Sequence, residues 1–489
     1  MSRNASSRYT GVVSLILALL VAAAAPASTL PAGSQTLPAG TQTLSSDHEE
    51  RWIPFEFTPG NQIRFTMSLE GRPVSAILDT GVSYSVLAQR YATANRLRVR
   101  GRAKADVIGG SVAVGWVATR TLAIGGLRRD GGGLAVADLP ATATGSATAV
   151  DLLVGRDLTA DYALDIDYAQ RRFRFLRSGR APFAGTSSPL AIAPDRLVYV
   201  SSVVLGGAEL RPMVVDTGDG SAITLSTAGW RTAQMAQRAT TTTVSFGLAG
   251  PVVSEVAIVP QLVVGRTIAR NVEVRVEASG GFSDAIGIAG RIGSGFLQNY
   301  RVLLDPAAGH MLLSANAGAD KPPLRSTSGL LLGIADDRLK VLHVMRGSPA
   351  AQEGWQAGEM ICRVDGQAIT AAYPGSALAG WSAGAPGRVV ALTSCDGRER
   401  RLTLASFYRP FATSSNPTAT PISASICTAV QSTQPTASGS SRRARRRSRH
   451  PAKNASAKHD IAAPPPISCA ALASLTTCAA FIARPACAP

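Results

Sequence analysis

Apolar and polar positions alternate in short runs from Trp52 onward. Ile63 to Gly71 reads IRFTMSLEG and Arg171 to Leu176 reads RRFRFL, and Gly and polar turns punctuate the runs between them. Side chains on a strand point alternately to opposite faces, so this period of two predicts half-buried β-strands and a mostly β protein. Two runs break the pattern in the same way. Ala76-Ile77-Leu78 ends in Asp79-Thr80-Gly81, and Met213-Val214-Val215 ends in Asp216-Thr217-Gly218. Each time a hydrophobic strand delivers a carboxylate to its own end.

These two landmarks belong to a longer internal repeat. VGRDLTADYALDIDYAQRRFRFL from Val154 corresponds to IGSGFLQNYRVLLDPAAGHMLLS from Ile292, 138 positions later, and Asp79 precedes Asp216 by 137. Two landmarks with offsets one residue apart imply one fold written twice, over roughly 51–176 and 189–314. Near Leu324 the Pro-rich stretch ADKPPLRSTS opens a third unit. Beyond about Phe411 the chain turns rich in Ser, Thr, Ala and Pro, a composition that cannot bury a core.

Charge and cysteine content narrow the function classes. The formal charge is +17, but the tail from Phe411 carries nine Lys/Arg against one Asp, including RRARRRSR from Arg442. Arg3 and Arg8 add two more, and basic patches interleaved with aromatics are missing elsewhere, which excludes nucleic acid as the expected partner. The tail reads either as a disordered segment with affinity for anionic surfaces or as one without a selected role. All six cysteines lie at or after Cys362, there are five histidines, and no Cys/His spacing reads as a metal site. Cys362 and Cys395 could pair in an exported protein. Export itself is expected: Arg3 and Arg8 precede the apolar run Val12 to Ala25 and the small-x-small Ala25-Pro26-Ala27, so residues 1–27 read as a cleaved signal peptide. No transmembrane span is expected after cleavage. The tandem LPAGSQT LPAGTQT, Leu30 to Thr43, makes 28–50 a flexible lead-in.

Apolar-apolar-Asp-Thr-Gly with a later apolar-apolar-Gly segment, here Leu153-Val154-Gly155 and Arg291-Ile292-Gly293, resembles the aspartic proteases, and lobes this short are more similar to retropepsins than to pepsin. The resemblance implies two pseudo-symmetric acid-protease lobes, 51–186 and 187–318, in a mainly β fold. It implies a shared catalytic pair, Asp79 and Asp216, with Thr80, Gly81, Thr217 and Gly218 supporting it, and amide hydrolysis of an extended polypeptide without metal or cofactor. VIGGSVAVG near Gly109 and VSFGLAGPVV near Gly247 occupy the position of the family's flaps; either is also an ordinary hairpin. Three residues depart from the family: Val82 and Asp219 stand where it has Ala or Ser, and Arg291 where it has an apolar residue. Asp219 either points at the acid pair and raises its pKa values or caps a turn.

From Ser328 the chain resembles a PDZ domain, on Leu332-Gly333-Ile334, on GSPAAQEG leading into a short helix, and on GEMICRVDG. That implies a small α+β domain over 324–408, with a helix near Ser376 to Trp381 and Leu332, Gly333 and Ile334 forming a loop that takes a peptide's C-terminus. The disordered tail then covers 411–489. Gly380-Trp381-Ser382-Ala383-Gly384 spells a hydrolase G-x-S-x-G, but a helix is expected before it and a turn after it, the reverse of a nucleophile elbow. The chain is therefore expected to be a monomeric periplasmic or secreted aspartic endopeptidase. Two alternatives stay open: an envelope peptide-binding protein that does not cut, and lobes that dimerise with those of another chain.

Overall fold

The computed structural model describes residues 40–408, apart from 145–147, 195–196, 320–324, 336, 371 and 374–375. The expected signal peptide, the first part of the lead-in, residues 320–324 of the Pro-rich boundary and the tail lie outside the described residues. Strands make up 48% and helices 11%, so the molecule is mainly β. No helix among the described residues is long and apolar enough to cross a membrane.

Strand Ile63–Leu69 buries Ile63, Phe65, Met67 and Leu69 on one face, as its alternation predicts. Glu70 and Gly71, both with positive φ, turn it tightly into its antiparallel partner Arg72–Leu78. The end of that second strand is apolar on both faces because it is sandwiched. Ala76, Ile77 and Leu78 pair on one side with Ile63–Phe65 and on the other, in parallel, with Leu152–Val154. Leu152–Val154 also runs antiparallel to Val86–Ala88, which in turn lies parallel to Gly133–Ala137.

The same pairing recurs downstream. Ala208–Asp216 lies parallel to Gly290–Gly293, which is antiparallel to Ile223–Leu225, itself parallel to Thr267–Val276. The first set belongs to an eleven-stranded sheet and the second to an eight-stranded one.

A six-stranded sheet joins the two. Ala163–Asp167 pairs antiparallel with Tyr300–Asp305, bringing Leu164 opposite Leu304 and Ile166 opposite Val302. The strands that precede the last strand of each sequence repeat thus lie side by side. Inside this sheet the Asp165 carboxylate, 0% exposed, accepts hydrogen bonds from Arg174 (3.0 Å) and Arg301 (2.9 and 3.0 Å), one from each half. One buried apolar cluster runs through both halves, from Ile53 to Leu313.

A fourth sheet spans Leu330–Ala335 to Glu399–Thr403. Within it Cys362 and Cys395 form a disulfide, S–S 2.05 Å. Its strand Arg338–Val344 packs against the second-half hairpin: Leu331, Leu342, Met345, Phe407 and Tyr408 meet Val244, Phe246, Val256 and Ile258. Arg346 ion-pairs with Glu255, and Thr241 Oγ1 donates to Arg346 O at 2.8 Å.

Three local expectations are corrected. Within the flexible lead-in, Thr41–Leu44 is a strand, paired with Leu127–Asp130, because that edge leaves backbone groups open and Leu44 packs on the core. Leu332, Gly333 and Ile334 form no loop. They lie in the edge strand Leu330–Ala335, opposite Val341, Lys340 and Leu339, where the side chains of Leu332 and Ile334 pack on the local core. The segment expected as a helix near Ser376 to Trp381 is a 3-10 turn, Ala377–Ala383, tied down by buried Trp381.

Candidate active site

Two strand ends meet at the junction of the halves. Asp79 N donates to Val154 O (2.9 Å), which holds the first turn on the parallel strand beside it. In the second half Asp216 is itself paired with Gly293. Each acid then folds back on its own loop: Gly81 N donates to Asp79 Oδ1 (3.1 Å), and Gly218 N and Asp219 N donate to Asp216 Oδ1 (2.9 and 3.0 Å).

The threonines between them interlock. Thr80 Oγ1 donates to Val215 O (2.7 Å) and accepts from Thr217 N (3.0 Å); Thr217 Oγ1 donates to Leu78 O (2.7 Å) and accepts from Thr80 N (3.1 Å). Both threonines are fully buried, so these four bonds lock the loops without competition from water. The glycines complete the approach. A Cβ on Gly81 would stand 2.4 Å from the Asp216 carboxyl carbon, and one on Gly218 would stand 2.3 Å from that of Asp79. Any side chain there would drive the carboxyls apart. Asp79, Thr80, Gly81, Asp216, Thr217 and Gly218 therefore gather at one place, whereas Leu332, Gly333 and Ile334 lie in the fourth sheet.

The electrostatics follow from enclosure. Burial, then the facing Asp216 carboxylate, push the Asp79 carboxyl well above the usual range. Burial and the nearby Asp219 charge raise Asp216 from 3.8 to about 6, against the pull of Arg291. Like charges this close share a proton and titrate as a pair.

Asp219, for which the sequence left two readings, does both things. It accepts from Ser221 N (2.9 Å) in its own turn, and its charge raises Asp216. Burial opposes its own ionisation, but Arg291, then Arg275 and Ser221 N, hold it down at about 2. Arg291 is the centre of a buried network: its Nε donates to Asp219 Oδ2 (2.8 Å) and lies 3.8 Å from Asp216, while its Nη1 lies 2.8 Å from Glu277. In the first half Ser85 N and Oγ donate to Asp157, which also pairs with buried Arg129 (3.2 Å). Gln62 Nε2 donates to Gly218 O (2.9 Å) and Asn61 Nδ2 to Gly220 O (3.1 Å), bracing one half's loop with the other's side chains. None of these pairings was read from the sequence; Arg291 stood out there as a misfit and Asp219 as a departure, without either being paired with the other.

Two hairpins arch over this junction, Arg100–Val107 with Gly110–Ala118 and Thr241–Gly247 with Gly250–Val264. Their tips touch: Ala249 N donates to Ile108 O at 3.4 Å, and a Cβ on Gly247 would fall 2.0 Å from that same oxygen. Below the second hairpin a pocket is bounded by Gly218, Asp219, Phe246 and, from the first half, Gly60 and Ile108. Among the described residues no group of three or more His, Cys, Asp or Glu is placed to hold a metal ion.

Paired, partly protonated carboxyls on rigid loops under closing hairpins can polarise a carbonyl and activate a water at the same time. No curated protein matches the chain. Residues 65–158, which contain Asp79-Thr80-Gly81 and Leu153-Val154-Gly155, match the family model for aspartyl proteases, and over that stretch the chain is similar to this family.

Proposed function

We propose that the chain is a single-chain, retropepsin-like aspartic endopeptidase whose one active site combines Asp79 and Asp216 from two lobes, 51–186 and 187–318. The observation that carries this reading is the crossed bonding of Thr80 and Thr217, which presses two raised-pKa carboxyls against each other. In the reaction the ionised carboxylate takes a proton from water, and the hydroxyl that results attacks the scissile carbonyl carbon. The protonated carboxyl donates to the carbonyl oxygen. Collapse of the tetrahedral intermediate returns a hydroxyl proton to the carboxylate that had donated, breaks the C–N bond, and lets the amine leave with the proton that the other carboxylate took from water. Water is the only co-reactant.

The substrate lies extended beneath the two hairpin tips, where main-chain pairing holds any sequence and pockets select side chains. The unit 324–408 acts as a PDZ module, with the edge strand Leu330–Ala335 offering a free side to a C-terminal peptide. The Cys362–Cys395 disulfide supports an oxidising, exported location. The enzyme works as a monomer.

The test is cleavage of an unfolded protein mixture between pH 3 and 8 by the wild type and by Asp79→Asn and Asp216→Asn. Loss of cleavage in either variant supports a shared pair. A folded wild type that cuts nothing at any pH overturns the enzyme in favour of a peptide-binding protein.

A further inference from the structure

The two halves place different chemistry at equivalent positions. In the first, Leu153 lies opposite Val86, and Val86 pairs with Ala135. All three are buried in an apolar cluster that Val82 and the hairpin residue Trp116 pack against. In the second, the same pairing puts Arg291 opposite Thr224 and Thr224 beside Arg275, with Asp219 in place of Val82. One flank of the acid pair is therefore greasy, and the other carries four buried charges: Asp219, Arg275, Glu277 and Arg291.

Three of these four are matched to one another. Arg291 bonds Asp219 and pairs with Glu277, and Glu277 also accepts from Ser283 N at 2.7 Å. Arg275 has no direct partner among them, although its charge acts on Asp219 and on the Glu273 carboxyl along its own strand. It is 4% exposed, its side chain makes no hydrogen bond or ion pair among the described residues, and its Nε is buried without an acceptor. It nevertheless lines the pocket together with Gly218, whose backbone abuts the Asp79 carboxyl, and with Asp219, Glu277 and Arg291. The pocket's volume of about 70 Å³ is room for roughly five water molecules, on the scale of a short side chain. A largely buried guanidinium whose Nε lacks an acceptor and which faces a pocket can grip a carboxylate with two parallel bonds.

We propose that Arg275 is a specificity residue that selects substrates with an acidic side chain, Asp or Glu, on one side of the scissile bond, the opposite flank taking an apolar residue. This deepens the protease reading above and rests on it for the identity of the ligand as a substrate.

The experiment uses fluorescent peptides in which a single Glu or Gln is walked through the positions around a central apolar pair. For the wild type, one position favours Glu over Gln by about tenfold or more in kcat/KM, the scale of a charge-assisted hydrogen bond. Arg275→Gln erases that preference while cleavage of Gln peptides persists, and Arg275→Lys restores part of it; a residue that only balanced Asp219 and Glu277 would not discriminate Glu from Gln. Equal cleavage of every Glu and Gln pair, or a preference that survives Arg275→Gln, overturns the proposal. Should nothing be cleaved, the protease reading fails, and the same peptides are bound to Asp79→Asn protein and followed by anisotropy. Tighter Glu binding that disappears in Asp79→Asn/Arg275→Gln still supports the acidic site, and equal or absent binding overturns it.

Discussion

Asp216→Asn separates the chemistry of the acid pair from its cost to stability. Folding raises the Asp216 carboxyl from 3.8 to about 6. Between these values the unfolded chain has released its proton while the folded chain still holds it, so stability is fully present below about pH 4 and falls as pH rises through 6. A difference of about two pKa units corresponds to about 3 kcal/mol. Asparagine keeps the Oδ1 acceptor for Gly218 N and Asp219 N and carries no charge to desolvate. The variant is therefore expected to be inactive yet more stable than wild type by about 3 kcal/mol at pH 7.5, and nearly equal to it at pH 3.5. For a protein of this size that gain is a rise of roughly 3–4 °C in Tm. Thermal melts of the full-length protein at the two pH values measure it. An equal gain at both, or a loss at pH 7.5, would refute the reasoning, because neither follows from relief of a buried, shared charge.

Thr80→Ala should orphan Val215 O and Thr217 N and cost about 2–4 kcal/mol in chemical denaturation, with cleavage reduced as the loops loosen, while Thr80→Ser should cost less than about 1 kcal/mol. Wild-type cleavage should decline as pH falls below about 6, where Asp216 gains a proton and can no longer act as base. Asp219→Asn should move that acidic limb to lower pH, since it removes a charge that raises Asp216 and leaves Arg291 to stabilise its carboxylate; a pH profile of kcat/KM shows the direction. Cys395→Ser opens a link between residues 33 apart and should destabilise the fourth sheet by about 3–4 kcal/mol, read as an earlier melting step that reductant produces in wild type but not in the variant.

What could be read locally was the content of the strands. Alternation marked Ile63–Leu69, and an apolar run ending in an acid marked both Asp79 and Asp216. Each is a property of a few consecutive residues, which share a face or a strand end whatever surrounds them. The reading failed where a neighbour from elsewhere in the chain decides. Thr41–Leu44 lies in a Pro- and Gly-rich tandem, and only the open edge at Leu127–Asp130 makes it a strand. Leu332-Gly333-Ile334 has the letters of a loop, yet pairing with Arg338–Val344 extends it.

The charges show the division most sharply. Taken alone, Arg291 is a misfit before Ile292-Gly293 and Asp219 is a turn former. The fold lays Gly290–Gly293 beside Ala208–Asp216 and brings Glu277 up from another strand's end, so each becomes the other's partner. Whether a buried charge is stable depends on which atoms lie within a few ångströms of it, and those atoms are supplied by residues as far away in sequence as 72 positions for Asp219 and 136 for Asp165. By itself, then, the sequence determined that two acids stand at the ends of two hydrophobic strands. Only the tertiary structure decided that they face one another through crossed threonines, and that Arg275 lines the neighbouring pocket with its Nε unfilled, because proximity across chain segments is not encoded in spacing along one.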